Sequence, residues 1–302
     1  MNALHLQAPA KLNLALAVGA PGPDRMHPIS SWMITVDLFD EIEIIRREEP
    51  ALSMYAVKWH KDAAHQEEID WPLTRDLAAR AHTALEKRVG QTLPVRLKVE
   101  KRIPLGSGLG GGSADAAAVL RGTNELFDLG LSVEELAEVA TEIGSDVPFL
   151  VQGGSAIVEG LGEQVRPLGA LPDLHAVIAM PPVHCATARV YGWFDDLCEE
   201  RDEVDRVPRD ARAVAEGAFS PDAPFNDLAE AAFQVAPELK EICASFSKLA
   251  ERPAHVSGSG SSLFVLCDEQ MHAEALASAG QTQLDIPAQA VTGCPIPTAL
   301  SK

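Results

Sequence analysis

An α+β fold in two parts is predicted by three features of the sequence. Strand-like and helix-like segments come in mixed order, without the regular βαβ alternation of a parallel sheet. Two glycine-serine loops, Gly106–Ser113 and Ser257–Ser262, lie in different halves of the chain. The 302 residues are about twice a common domain length. A boundary after the glycine-punctuated segment near residue 160 divides the chain into residues 1–162 and 163–302. A ligand cleft is expected between the two parts.

Taken in order, residues 4–18 alternate from Leu12 onward, so Leu12, Leu14, Leu16 and Val18 are expected on one face of a strand, with Lys11 and Asn13 on the other. Gly19 to Pro28 is a turn region holding His27. Residues 32–45 read as one or two strands, and Ser53 to Val57 as a weak one. Thr74 to Arg88 has helical periodicity with Gly90 as its stop. Val95 to Val99 alternates as a strand. The segment behind the first glycine loop, through Ala116, Ala117, Val119, Leu120 and Leu126, is helical and closes at Gly130. Ser132 with Glu135 makes a capping box for a helix ending at Gly144. Residues 153–160 form a strand pair and His175 to Met180 a buried-type strand. Thr187 to Glu200, Phe225 to Val235, Pro237 to Ala250 and Asp268 to Ala279 read as helices, and the charge-dense 199–213 as an exposed loop. His255 to Leu266 reads as strand, glycine turn, strand.

Charge and composition exclude several functions. Lys+Arg number 25 against 44 Asp+Glu, a formal net charge of -19, which disfavours nucleic acid and anionic membranes as partners. No apolar run reaches the length of a membrane span. The N-terminus lacks the basic and apolar regions of a secretion signal. Cys185, Cys198, Cys243, Cys267 and Cys294 form no C-x-x-C pair, so reduced thiols and a cytoplasmic location are expected.

The stretch Pro104-Leu105-Gly106-Ser107-Gly108-Leu109-Gly110-Gly111-Gly112-Ser113-Ala114-Asp115 dominates the sequence. Glycines let backbone N–H groups converge where a Cβ would block approach. The helix that follows adds unpaired donors and a positive dipole end. Together they make a cradle for phosphate. Ser113 after Gly112 leaves no Walker lysine, and Gly106-x-Gly108-x-x-Gly111 lacks the βαβ surroundings of a dinucleotide site. A flexible surface linker is the plainer alternative.

Three motifs, Pro9-Ala10-Lys11-Leu12-Asn13, the glycine loop, and Ser257-Gly258-Ser259-Gly260-Ser261-Ser262, resemble those of the GHMP small-molecule kinases. Gly144-Ser145-Asp146-Val147-Pro148-Phe149, Glu159-Gly160-Leu161-Gly162-Glu163 and Phe225-Asn226-Asp227-Leu228 resemble the branch that phosphorylates 4-diphosphocytidyl-2-C-methyl-D-erythritol. The resemblance runs over nearly the whole chain. It implies a ribosomal-protein-S5-like N-terminal domain carrying the nucleotide loop and a ferredoxin-like C-terminal domain. It also implies ATP and Mg2+ as cofactors, transfer of the γ-phosphoryl group to a hydroxyl of the cytidyl small molecule, and a monomer or homodimer. The rival readings are a homoserine, mevalonate or sugar kinase, and a non-catalytic nucleotide-binding protein of the same fold.

Residue by residue, the resemblance makes Asp146 the catalytic carboxylate and Lys11 its lysine. A positioned carboxylate can take the proton of an attacking alcohol. A nearby ammonium keeps such a carboxylate ionised and stabilises charge on the oxygens in flight. On spacing alone Asp146 is a helix N-cap before Val147-Pro148. Gly106 to Gly112 with Pro104, Leu105 and Ala114 would wrap the triphosphate. Ser113 would reach the metal or a phosphate oxygen, unless it is merely a cap. Lys101 matches a lysine near adenine, unless it is a solvated strand end. Asn13, His27 and Tyr191 match substrate positions, with His27 on the cytosine edge and Tyr191 stacked on the ring. The plainer alternatives are an exposed loop histidine and a core tyrosine. Gly258, Ser259 and Gly260 would close over phosphates or erythritol, unless they form a plain hairpin turn. The chain departs from the family pattern at Arg25-Met26, where Gly-Tyr is usual, and at Asp76, where Asn is usual.

Overall fold

The computed structural model describes residues 2–48, 50–199, 210–216 and 220–301. The elements follow in order: β1 (Ala3–Val18), β2 (Ile29–Arg46), β3 (Met54–Trp59), α1 (Leu77–Val89), β4 (Val95–Lys101), α2 (Gly111–Leu126), α3 (Val133–Thr141), α4 (Val147–Gln152), β5 (Ser155–Gly160) and β6 (Gln164–Pro167). The second half continues with β7 (His175–Ala179), α5 (Thr187–Glu199), α6 (Ala211–Glu216), β8 (Phe225–Asn226), α7 (Ala229–Val235), α8 (Pro237–Ala250), β9 (His255–Val256), β10 (Leu263–Cys267), α9 (Gln270–Leu284), β11 (Ala288–Thr292) and β12 (Leu300–Ser301).

The antiparallel pair β1 and β2 is the spine of an eight-stranded sheet. One edge of β2 takes β4 along residues 41–46 and β5 along 29–34; β3 lies beyond β4 and β6 beyond β5. The far edge of β1 takes β12 near its start and β8 near its end. A second sheet runs β11-β7-β10-β9. Three buried clusters stack these pieces into four layers. Helices α1 to α4 pack on the large sheet, and the two sheets pack on each other through Leu12, Leu14, Ile34, Ile178 and Phe264. Helices α5, α7, α8 and α9 cover the small sheet. β7 is buried on both faces, which explains its unbroken apolar run.

Local chemistry sets the ends. Asp76 caps α1 by accepting the Ala79 N–H at 3.0 Å, so that helix opens at Leu77, later than its periodicity predicts. Gly90 ends it in the left-handed region at φ +69°. The Ser132–Glu135 capping box is formed. α2 stops at Leu126, short of Gly130, because the Asn124 amide bonds both the N–H and the C=O of Leu131 at 3.0 Å and turns the chain.

Three further expectations are corrected. Leu16 does not share the face of Leu12 and Leu14, because a bulge between Asn13 and Ala15 shifts the register and sends Leu16 into the helix-covered core. Residues 225–226 are strand, and the helix begins only at Ala229. The end of the charge-dense segment is helical from Ala211, and residues 200–209 lie outside the described residues. No helix among the described residues is long and apolar enough to cross a membrane.

The first core holds a polar exception, His82, which is fully buried. Its Nε2–H donates to the Leu93 carbonyl at 2.8 Å, leaving Nδ1 to accept the Tyr55 hydroxyl at 2.9 Å. Burial holds the ring below its ordinary 6.5, against the pull of Glu86 and the Leu93 carbonyl. The folded ring is therefore harder to protonate than the unfolded one. Stability contributed by His82 is complete above about pH 6.5 and is lost as pH falls below it, by at most about 1.4 kcal/mol per pH unit. Urea unfolding at pH 7.5 and 5.5 is expected to show a smaller acid loss in His82→Gln than in wild type. Some loss persists through His255, which burial lowers in the same way.

Candidate active site

The site is built where the glycine loop, the third loop and β1 converge. The backbone N–H of Lys11 donates to the Leu109 carbonyl at 2.9 Å, so β1 is tied directly to the glycine loop. The lysine stem packs on Gly110, whose added Cβ would stand 3.0 Å from Lys11 Cγ. Lys11 is 3% exposed. Its ammonium donates to Asn13 Oδ1 at 2.5 Å and faces Asp146 Oδ2 at 3.4 Å. Asn13 passes the order inward, donating from Nδ2 to Ser31 Oγ at 2.8 Å, and Ser31 donates to the Ala15 carbonyl at 2.7 Å. This string lines the bulge that the Asn13/Ala15 register shift creates.

Asp146 occupies the N-cap position of α4 but makes no side-chain cap hydrogen bond. Its side chain is 27% exposed, so the carboxylate pairs with Lys11 on one side and opens outward on the other. Arg121 supports α4 from its far end, donating to the Leu150 carbonyl at 2.6 Å.

The glycine loop has the shape of an anion cradle. α2 opens on Gly110 with no side-chain cap, which leaves its first N–H groups turned to the loop. Gly108, at φ +79°, is the tightest point: a Cβ there would lie 1.9 Å from the Ser257 carbonyl oxygen. The third loop is thus interlocked with the first. Ser262 N–H donates to the Ser107 carbonyl at 2.9 Å, and Ser257 Oγ to the Gly108 carbonyl at 3.2 Å. Gly258 stands over Lys11, 3.2 Å from its ammonium to an added Cβ, and Ser259 Oγ meets Thr187 Oγ1 at 3.0 Å. Ser113 is the third residue of α2 and does not cap it. On the other side of the loop a cavity of about 420 Å³ runs between Pro104, Leu105, His65, Met180 and His184.

A second cluster stands beside Asp146. His27 is 8% exposed, not a solvated loop residue. Its Nδ1–H donates to the Gly19 carbonyl at 2.9 Å, and Nε2 faces Asp195 Oδ1 at 3.4 Å. The ring lies 5.1 Å from Tyr191 and 5.9 Å from Phe194, edge-on to the latter. The Tyr191 hydroxyl is pushed up to about 12, by burial first and then by the charge of Asp146, which places the cluster within electrostatic reach of the carboxylate. Met26 is 48% exposed alongside.

Lys101 stands apart, beneath the loop. It is 2% exposed, with Nζ 2.6 Å from Asp40 Oδ2 and 2.5 Å from Asp115 Oδ2. A solvated strand end is therefore excluded. Asp40, Asp115, Asp195 and Phe194 are site residues that sequence reasoning passed over; each acts through a partner distant in sequence. No cluster of three His, Cys, Asp or Glu suited to a metal occurs among the described residues. A cation here would come with the phosphates of a nucleotide.

Residues 76–154 match the GHMP kinases N terminal domain and residues 194–286 the GHMP kinases C terminal. The chain is 37% identical over 276 residues to 4-diphosphocytidyl-2-C-methyl-D-erythritol kinase of Exiguobacterium sibiricum, covering 90% of this chain and 91% of that protein. The chain belongs to the GHMP kinase family. The protein of the same name from Bacillus thuringiensis is 35% identical, with 90% of this chain and 91% of that protein covered. The crystal structure of a 4-(cytidine 5'-diphospho)-2C-methyl-D-erythritol kinase superposes with a TM-score of 0.72 at 32% identity, over 96% of this chain and 99% of that one. Homoserine kinase from Cytophaga hutchinsonii has a TM-score of 0.68 at 17% identity, over 99% and 97%, which speaks for the fold alone. As a GHMP kinase the chain is an ATP-using phosphotransferase with the family's two-domain α+β fold.

Proposed function

We propose that this GHMP kinase transfers the γ-phosphoryl group of ATP to the 2-hydroxyl of 4-diphosphocytidyl-2-C-methyl-D-erythritol, a step of the non-mevalonate isoprenoid route, in the cytoplasm. The observation that carries the mechanism is the Lys11–Asp146 pair, 3.4 Å apart beside the glycine loop, with the lysine buried and the carboxylate partly exposed. Asp146 accepts the hydroxyl proton as the oxygen attacks, and the Lys11 ammonium steadies the charge shared between carboxylate and transferred group. In a loose phosphoryl transition state most of the gain comes from holding these groups in place. The Asn13–Ser31 string does that for Lys11.

The glycine loop and the open end of α2 suit the phosphates, and the cavity beyond Pro104 suits the nucleoside. The Ser113 hydroxyl, together with the nucleotide's own phosphates, would hold Mg2+, which would supply neutralisation of the phosphate charge. Asn13, His27 and Tyr191 hold the cytidyl substrate, with Gly258, Ser259 and Gly260 closing over it. His27 Nε2 and the Asp195 carboxylate side by side present acceptors to the exocyclic amino group of cytosine. Residues 1–162 supply the nucleotide loop and catalytic pair, and residues 163–302 supply Tyr191 and the third loop. The enzyme acts on a small molecule as a monomer or homodimer.

The test is ADP release from magnesium-ATP with the cytidyl substrate, with homoserine, mevalonate and a sugar in parallel. Turnover confined to the cytidyl substrate is expected. Turnover confined to another acceptor would overturn the substrate assignment and make Met26, where an aromatic residue is usual, the mark of a changed acceptor.

A further inference from the structure

We propose that Asn226 is a positioning residue that holds the third loop in register with the glycine loop and with Lys11. Its activity arm rests on the kinase reading above; its structural arm does not.

Asn226 lies on β8, which pairs in parallel with β1 so that Leu16 faces Asn226. Its backbone is therefore referenced to the strand that carries Lys11 and Asn13. The next residue fixes the segment further: Asp227 N–H donates to the Leu16 carbonyl at 2.9 Å, and Asp227 Oδ2 accepts the Val18 N–H at 3.1 Å. From this anchored position the Asn226 amide reaches across. Nδ2 donates to the Val256 carbonyl at 2.8 Å and to the Gly258 carbonyl at 2.7 Å, and Oδ1 accepts the Leu228 N–H at 2.9 Å. Carbonyls only accept and an N–H only donates, so these partners determine which way round the amide lies.

What Asn226 holds is the part of the third loop that touches the chemistry. Gly258 lies over the Lys11 ammonium and the Gly108 carbonyl. Ser257 Oγ takes the Asn13 N–H at 3.4 Å and donates to Gly108. Two carbonyl oxygens aimed at one place repel unless a donor stands between them. The NH2 group of Asn226 is that donor, and it spans the Val256 and Gly258 carbonyls at the start of the loop. Removing it frees Gly258 to swing, and the surroundings of Lys11 swing with it. Asn226 touches no reacting atom on this reading. It acts through the loop.

Asn226→Asp separates the donor from the shape. It keeps the size and the acceptor for Leu228 N–H but turns lone pairs toward both carbonyls. Asn226→Ala removes the donor and leaves water free to enter. Hydrogen exchange over residues 257–262 is expected to rise about tenfold in Asn226→Asp, with β1 and α2 unchanged. Turnover is expected to fall at least about tenfold, since small misplacements at a phosphoryl-transfer site are costly. Asp should be worse than Ala in both readouts, whereas a packing role would make Ala, which loses more volume, the worse. Unchanged exchange over 257–262 in either variant would overturn the proposal, as would raised exchange with kcat within about twofold of wild type. Should wild type fail to turn over the cytidyl substrate, the functional reading falls, and the exchange comparison still decides the role of Asn226. Should Asn226→Asp not fold, Asn226→Ala against wild type carries both readouts.

Discussion

Asp146→Asn is expected to lower kcat at least about a hundredfold, the range of a positioned proton acceptor, while the melting temperature stays near that of wild type. The structure separates the two effects. Asp146 makes no cap hydrogen bond to α4, so the helix loses nothing when the carboxylate becomes an amide. Val147-Pro148 at the helix start and the Arg121 bond at its end hold the turn without it. What changes is the basic oxygen and its charge, which faces Lys11 at 3.4 Å and is otherwise open. KM for ATP should move little, because the phosphate cradle is made of backbone. Retention of more than about a tenth of wild-type turnover would show that positioning alone drives the transfer and that Asp146 is not the base. Lys11→Met offers a check from the other side. It should also lower kcat, and the double variant should be no worse than the lower single one, since the two residues act as a unit.

The parts of this site that could be read from the sequence are those whose cause is local. Gly106 to Gly112 running into an alanine-rich helix announce a cradle, since the requirement for glycine and the start of α2 lie in one window. The Ser132–Glu135 capping box is legible for the same reason. Residues whose partners are distant are not legible in this way. Nothing local to Lys101 marks it as buried, because one of its carboxylates is 61 residues away. Leu16 keeps the alternation of its strand in sequence but not in space, because the bulge at Asn13 depends on how β2 pairs. Phe225 and Asn226 have good helical neighbours, and only the long-range bonds of Asn226 and Asp227 explain why these two residues are extended. Asp146 shows the opposite case. Its spacing is that of a cap, yet the side chain turns to Lys11, a choice made by the docking of β1 on the glycine loop and not by α4.

Lys101→Met is expected to destabilise the folded chain by about 3–5 kcal/mol, the cost of breaking a buried ion pair from one side. The lysine sits between Asp40 and Asp115 at the base of the glycine loop, all three buried. Burial works against its ammonium, but the charges of Asp115 and Asp40 overcome it and hold it above its ordinary range. Asp115 is pushed up by burial beyond what Lys101 restores, and its Oδ1 has no hydrogen-bond partner. Asp40 is the better satisfied carboxylate, accepting from Lys101 and from the Arg102 and Ile103 N–H groups. It thereby fixes the chain as it leaves β4, while Asp115 fixes the first turns of α2. The triad thus clamps both ends of the loop to β2. Without the ammonium, two carboxylates face each other in the core, and Asp115, the less satisfied one, takes a proton. Replacing it should therefore compensate. Lys101→Met with Asp115→Asn is expected to recover at least about 1 kcal/mol relative to Lys101→Met alone, as close partners couple. Urea unfolding of the two singles and the double measures this directly. Binding of a nonhydrolysable ATP analogue should weaken in Lys101→Met in step with the loosened loop and recover partly in the double. If binding is lost in Lys101→Met with stability unchanged, the lysine acts on the nucleotide itself and not through the clamp.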